Sequence, residues 1–217
     1  KLMSVCPIPD LKLEALLKDI RSCLLFSVSK SIGTPEVRRF QSALALHCFT
    51  NEYIYSQTNR ETKAIEKLEC AIEAGLSSGL QPSPQSILCL ASYKALQEYE
   101  WCKMLTINIH IEKVFARQIL EPKEEARLKS DIPVLQEISD KVSSRVREQY
   151  EASPYPRWIN LGLDVYPKAI SEIFKDINLR LCNNAIIDVA SPNILIAGCG
   201  TGQHSIGTAS KFKNSKI

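Results

Sequence analysis

Apolar residues recur every three or four positions over roughly the first 120 residues, and polar residues fill the intervals. This spacing places the apolar side chains on one face of a helix and therefore predicts a series of amphipathic α-helices. The first run follows Asp10, which is well placed as a helix cap. The second follows Thr34 as cap, with Pro35 at the first helical position.

Three more helices are predicted in the same part of the chain, over residues 59–79, 81–101 and 109–120. The fourth helix of the series has Ser83 as its cap and Pro84 in its first turn. It is apolar nearly all round, which predicts a central position in the domain.

The helix lengths and the short breaks between them predict antiparallel helical hairpins over residues 1–120. Their period of roughly 35 to 45 residues resembles that of tetratricopeptide arrays, but the Trp, Leu-Gly and Tyr signature positions are missing. A tetratricopeptide-like helical domain is therefore predicted, and a true repeat array stays an alternative.

Residues 121–158 are predicted to connect this domain to the next. The first part is charged and contains two prolines, which indicates a short helix and an extended segment. A helix over residues 140–151 follows, and it ends at "ASPYPRW" because each proline disfavours helix in the residue before it.

The final part, residues 159–217, changes its pattern. A helix over residues 166–181 precedes the short apolar run Ile194 to Ile196, which predicts a strand buried on both faces of a parallel sheet. A helix from about Gly202 and a second strand start near Ser215 complete a β-α unit. Such a unit needs more strands to cover it, so the chain is expected to be a fragment of a longer protein.

Together these patterns predict a mainly α fold: an N-terminal helical-hairpin domain, a connection, and the first β-α unit of a Rossmann-like α/β domain.

Charge and composition narrow the classes of function. The net charge of +3, from 27 basic and 24 acidic residues, is too small to indicate nucleic acid or an anionic membrane as partner. No apolar run of about 18 residues predicts a membrane span. The N-terminus lacks the apolar core of a signal peptide, so a cytoplasmic location is expected.

The eight cysteines are dispersed, without a CxxC pair, and are expected to be reduced thiols; no metal site is expected. A disulfide framework or a zinc site is the alternative.

Glycines alternate directly after the apolar run, at Gly198, Gly200 and Gly202. A turn this tight between strand and helix favours residues without a Cβ, which also let a ligand touch the backbone. The spacing is G-x-G-x-G, because Gln203 stands where a dinucleotide fold has its third glycine. The Lys-Ser/Thr pair of a Walker phosphate loop is absent.

The sequence "AGCGTGQ" resembles motif I of class I S-adenosylmethionine-dependent methyltransferases. The resemblance implies that S-adenosylmethionine is the cofactor. It also implies that the loop lines the cofactor site with Ala197, Gly198, Cys199, Gly200, Thr201 and Gly202. The glycine spacing alone is also consistent with another nucleotide-binding fold or with a glycine turn that binds no ligand.

Two features of the family pattern are not met within the printed sequence. Ile196 occupies the position where many members have an acidic residue, so a carboxylate near the methionine amino group is not implied here. The acidic residue that holds the ribose hydroxyls would lie a few residues beyond Ile217. The chain alone is therefore expected to bind cofactor weakly or not at all and to be inactive.

The segment "VREQYEASPYPRW" resembles the "QYEENPYPRW" stretch of a bacterial group of methyltransferases with an N-terminal tetratricopeptide-like region. The segment "CFTNEYIY" is similar to part of that helical region. By this resemblance, Tyr155, Arg157 and Trp158 are candidates for covering the cofactor or shaping the acceptor site. The alternative is that Tyr150 and Trp158 only pack the joint between the domains.

The function that the resemblance implies is methyl transfer to a nucleophilic N, O, S or C atom. No general base is identified; His204, at the start of a helix, is expected to pack or cap rather than to catalyse. The acceptor is not readable from the sequence. The alternative function is a helical interaction module that recruits a protein partner without catalysis.

Overall fold

In the computed structural model, the described residues are 2–4, 8–30, 33–133, 138–152, 154, 158–177 and 183–217. Their secondary structure is mainly helical, as predicted. The chain divides into two compact units, residues 1–137 and residues 138–217. The division falls inside the predicted connection of residues 121–158.

The first four α-helices of the N-terminal unit begin close to the predicted positions, and the first, second and fourth follow the predicted caps Asp10, Thr34 and Ser83. They are α1 (Leu11–Ser27), α2 (Pro35–Thr50), α3 (Asn59–Ser77) and α4 (Pro84–Ala91). The Asp10 side chain accepts a hydrogen bond from the Leu13 amide at 2.8 Å. Thr58 and Glu61 form a reciprocal capping box at the start of α3.

Helix α4 is buried as predicted but is shorter than the predicted helix over residues 81–101. It ends at Ala91, and two 3₁₀ turns follow, Leu96–Glu98 and Glu100–Met104. The Ser92 hydroxyl donates to the Cys89 carbonyl, and the Ser92 carbonyl accepts from a distant arginine. These bonds occupy carbonyl groups that a longer helix would use, so the helix stops there.

The predicted fifth helix continues beyond Leu120. Helix α5 (Glu112–Phe115) passes through a π-helical turn, Ala116–Leu120, into α6 (Glu121–Lys129). Pro122 lacks an amide hydrogen and crowds the carbonyl four residues before it. The wider π turn just before Pro122 accommodates this defect without ending the helix.

Gln118 lies in the π turn, and its side chain is fully buried. Its amide oxygen accepts from the Leu96 amide at 3.1 Å, and its amide nitrogen donates to the carbonyls of Ala91 at 3.0 Å and Ala45 at 3.3 Å. The π turn is thus tied to α2 and to the end of α4.

Arg21 is a second buried polar centre, only 1% exposed on α1. Its guanidinium donates to the carbonyls of Tyr55, Ser56 and Ser92 at 3.1 to 3.4 Å and lies 4.1 Å from the centroid of the Tyr93 ring. One side chain therefore joins α1 to the segments that follow α2 and α4.

Glu61 belongs to the same buried polar centre as Arg21. Its carboxylate accepts from the Tyr93 hydroxyl at 2.8 Å and from the Thr58 amide at 2.8 Å. Burial alone would raise the pKa of Glu61, but these hydrogen bonds and the charge of Arg21 bring the pKa below its usual value.

The turn after α2 has an unusual backbone. Glu52 and Tyr53 have φ of 58° and 54°, a left-handed conformation that costs energy for residues with a side chain. The Tyr53 amide donates to the Cys48 carbonyl at 2.8 Å, and its hydroxyl donates to the Ala91 carbonyl at 3.2 Å. One local hydrogen bond and one to the end of α4 therefore hold the turn.

His47 is buried in α2, with Nε2 2.7 Å from the Tyr55 hydroxyl. Burial lowers the pKa of His47, although the Met3 backbone and the charge of Glu14 partly oppose the shift. The pKa of His47 in the folded chain thus lies below the ordinary value of 6.5. Between these two pKa values, the unfolded chain binds a proton at this side chain more readily than the folded chain does.

We therefore expect the free energy of unfolding to fall as the pH decreases below about 6.5, because protonation of His47 then favours the unfolded chain. The His47→Gln variant should lose this part of the pH dependence, and His110→Gln should keep it. Urea unfolding at a series of pH values measures the effect. Identical pH profiles for both variants would contradict the assignment.

In the C-terminal unit, the helices are α7 (Lys141–Ala152), α8 (Ile170–Ile177) and α9 (Gln203–Lys211). The predicted strand over Ile194 to Ile196 is not formed as a strand buried on both faces, and Leu195 is 93% exposed. Among the described residues, parallel pairing is limited to isolated bridges, Asn193 with Lys216 and Lys168 with Phe212. A strand is buried on both faces only when neighbouring strands and helices cover it, and the described residues of this unit provide no such cover.

Across the described ranges, no helix combines the length and apolar character needed to span a membrane.

The six described cysteines are free thiols; they are Cys23, Cys48, Cys70, Cys89, Cys102 and Cys199. Burial raises the pKa of Cys48 to about 11, so this thiol stays protonated near neutral pH.

Candidate functional site

The glycine loop has a backbone that favours glycine at each of its three alternating positions. Gly198, Gly200 and Gly202 have φ of 67°, 54° and 82°. Among the described residues, a Cβ added at Gly198 or Gly200 would meet no heavy atom within 4 Å, and one at Gly202 would meet the Ile206 side chain at 3.9 Å. The part of the chain that the structure describes does not fill this space, so backbone conformation rather than crowding by these residues accounts for the glycines.

The loop leads directly into α9. The Gly202 amide donates to the Cys199 carbonyl at 2.9 Å, which closes the turn. Gly202 is the N-cap residue and offers no side chain to the first amides of the helix. Those amides and the positive end of the helix dipole are therefore available to an electron-rich group.

The residues before and after this loop and helix are paired. The Ile194 amide donates to the Lys216 carbonyl at 2.8 Å, and the Lys216 amide donates to the Pro192 carbonyl at 2.9 Å. The two segments run parallel, with the glycine loop and α9 between them. Parallel neighbours require a crossover connection of this kind.

Trp158 binds the loop. Its indole nitrogen donates to the Thr201 carbonyl at 3.2 Å, and its side chain is half-buried. Two segments that the sequence marked separately as candidates, around Trp158 and around Thr201, are thus in contact. Tyr155 and Arg157 lie outside the described residues.

The remaining loop residues are open to solvent. Ala197 and Cys199 are exposed, and Thr201 is half-buried. His204 is exposed in the first turn of α9. In the part of the chain that the structure describes, no group of three or more His, Cys, Asp or Glu side chains is placed to hold a metal ion.

The hydrogen bond from Trp158 to the Thr201 carbonyl was not predicted. The sequence indicated Trp158 as a possible cover for the site, but the acceptor is a backbone group 43 positions away. No side-chain pattern marks such a carbonyl, so only the fold can show the contact.

Comparison with known proteins assigns the chain to no family, because no family model, no curated protein and no solved structure matches it.

Proposed function

We propose that this chain belongs to a protein that transfers methyl groups from S-adenosylmethionine, with the cofactor held at the loop of residues 197–202. The observation that carries the proposal is the left-handed backbone of Gly198, Gly200 and Gly202 next to unfilled space. The parallel pairing of Asn193 with Lys216 around α9 supports it, because a Rossmann-like β-α unit needs that arrangement.

The residues present fit such a cofactor. The main chain of Gly198 and Gly200 offers a surface without Cβ atoms, on which the methionine and ribose portions would lie. The amides at the start of α9, which receive no side-chain cap from Gly202, offer hydrogen-bond donors. The chain has Ile196 where a carboxylate would contact the amino group, so that interaction must come from elsewhere.

The sulfonium of the bound cofactor supplies an electrophilic methyl group. The work of the protein is then to align the acceptor and to exclude water. Trp158 is suited to the second task, because its indole ring lies against the loop through the bond to Thr201.

Replacing Trp158 with phenylalanine should weaken S-adenosylmethionine binding by about three- to tenfold, because one partly buried hydrogen bond is worth about 0.5–1.5 kcal/mol. The Thr201 carbonyl would lose its indole donor, and the loop would be held less firmly. Equilibrium binding to the protein translated from the complete reading frame measures the effect. The Trp101→Phe variant, altered in the N-terminal unit, is the control, and equal losses in both variants would contradict this role.

Calorimetry with three ligands tests the proposed function. The protein from the complete reading frame should release or absorb heat with S-adenosylmethionine and bind it more tightly than NAD or ATP. Tighter binding of NAD or ATP would instead favour another nucleotide-binding function. Absence of heat with all three, at several temperatures, would contradict the proposal.

A further inference from the structure

A basic groove lies between α1 and α3 in the N-terminal unit. It has a volume of about 490 Å³ and is lined by Phe26, Asn59, Arg60, Lys63, Ala64 and Lys67. None of these lining residues is acidic. The groove combines positive charge with an apolar floor.

Three of the lining residues are exposed cations, Arg60, Lys63 and Lys67. Their spacing along α3 puts them on one face of the helix, over a length of about 10 Å. Among the described residues, none of the three forms an ion pair, whereas Arg39 and Arg127 pair with neighbouring carboxylates. The three cations are therefore able to pair with carboxylates of a ligand.

Phe26 forms the floor of the groove. The Arg60 guanidinium lies 4.4 Å from the centroid of the Phe26 ring. This stacking holds the arginine in place while its N–H groups, which lie in the guanidinium plane, remain able to donate to a carboxylate. Ala64 leaves room beside the ring for an apolar side chain of a ligand.

These features favour a peptide over a nucleic acid or a membrane. The Phe26 ring face is covered by Arg60, so it is not open to stack on a base. The apolar face of α3, which includes Ile65, Ile72 and Leu76, is buried in the core, so it is not available to enter a lipid surface.

We propose that the groove formed by Phe26, Arg60, Lys63, Ala64 and Lys67 binds an acidic peptide segment of a protein partner. Carboxylates of the segment pair with the three cations, and an apolar residue between them lies on Ala64, beside the Phe26 ring. This proposal uses only residues of the N-terminal unit and does not depend on the proposed methyl transfer.

The test is a fluorescence anisotropy titration of the full chain with a short labelled peptide in which acidic residues alternate with leucine. The Arg60→Glu/Lys63→Glu/Lys67→Glu variant should bind about tenfold or more weakly, because three attractive pairs become repulsive. The control variant, Lys12→Glu/Lys103→Glu/Lys113→Glu, changes net charge equally at exposed positions elsewhere and should bind as the parent does.

If the triple reversal disturbs folding, judged by helical circular dichroism, the milder Lys63→Gln/Lys67→Gln variant replaces it, with a smaller loss expected. A labelled oligonucleotide and vesicles of anionic lipid serve as the other ligands. Absence of peptide binding, equal losses in the groove and control variants, or a stronger groove-dependent affinity for either other ligand would overturn the proposal.

Discussion

Replacing Gly200 with valine is expected to weaken S-adenosylmethionine binding by about a hundredfold or more. Two effects combine. A left-handed residue with a branched side chain costs about 1–3 kcal/mol, which shifts the loop away from its observed backbone. The valine side chain would also project into the space that the cofactor is proposed to fill. Calorimetry on the protein from the complete reading frame measures the change in affinity.

Gly162 provides a matched control for this experiment. It lies in the same unit, has φ of 57°, and an added Cβ there would also meet no heavy atom of the described residues within 4 Å. The Gly162→Val variant therefore suffers similar backbone strain at a position outside the loop and should retain cofactor binding. Equal loss of binding in both variants would mean that strain alone, rather than the loop, causes the effect.

Replacing Arg21 with alanine should lower the free energy of unfolding by about 3–5 kcal/mol, because it removes one partner from a buried charged network. The carbonyls of Tyr55, Ser56 and Ser92 would lose their donor inside the protein. Tyr93 would lose the stacked guanidinium, and the carboxylate of Glu61 would lose a stabilising charge.

Chemical denaturation followed by circular dichroism measures this loss, with Arg39→Ala as the control. Arg39 is exposed and pairs with Glu36 one helical turn away, so its removal should change stability by only about 0.5 kcal/mol. A comparable small change for Arg21→Ala would show that the buried contacts of Arg21 do not hold the helices together.

Helix starts were predictable because they depend on local chemistry. Asp10, Thr34 and Ser83 each accept a hydrogen bond from an amide in the first turn, as their positions before an apolar run predict. Helix ends were less predictable. Helix α4 stops at Ala91 partly because Arg21, 71 positions before Ser92, binds the Ser92 carbonyl, and no local pattern contains that contact.

The glycine loop was predictable for the same local reason as the caps. Alternating glycines indicate repeated positive φ, and Gly198, Gly200 and Gly202 all have it. The buried strand predicted before them is not formed, because an apolar run leads to a buried strand only where neighbouring strands cover it. Leu195 has no such neighbour among the described residues.

Two further features that were not predicted also join distant parts of the chain. The bond from Trp158 to the Thr201 carbonyl needs the fold of the C-terminal unit. The basic groove needs Phe26 of α1 beside α3, although the spacing of Arg60, Lys63 and Lys67 is visible in the sequence. That spacing could have indicated one basic helix face but not the aromatic floor.

The most direct test of a cofactor site at the glycine loop is hydrogen–deuterium exchange of the protein from the complete reading frame, with and without saturating S-adenosylmethionine. Slower exchange is predicted for the amides of residues 198–204, with no change in α1 to α4. Unaltered exchange across those loop amides, while calorimetry shows the ligand to be bound, would contradict the account.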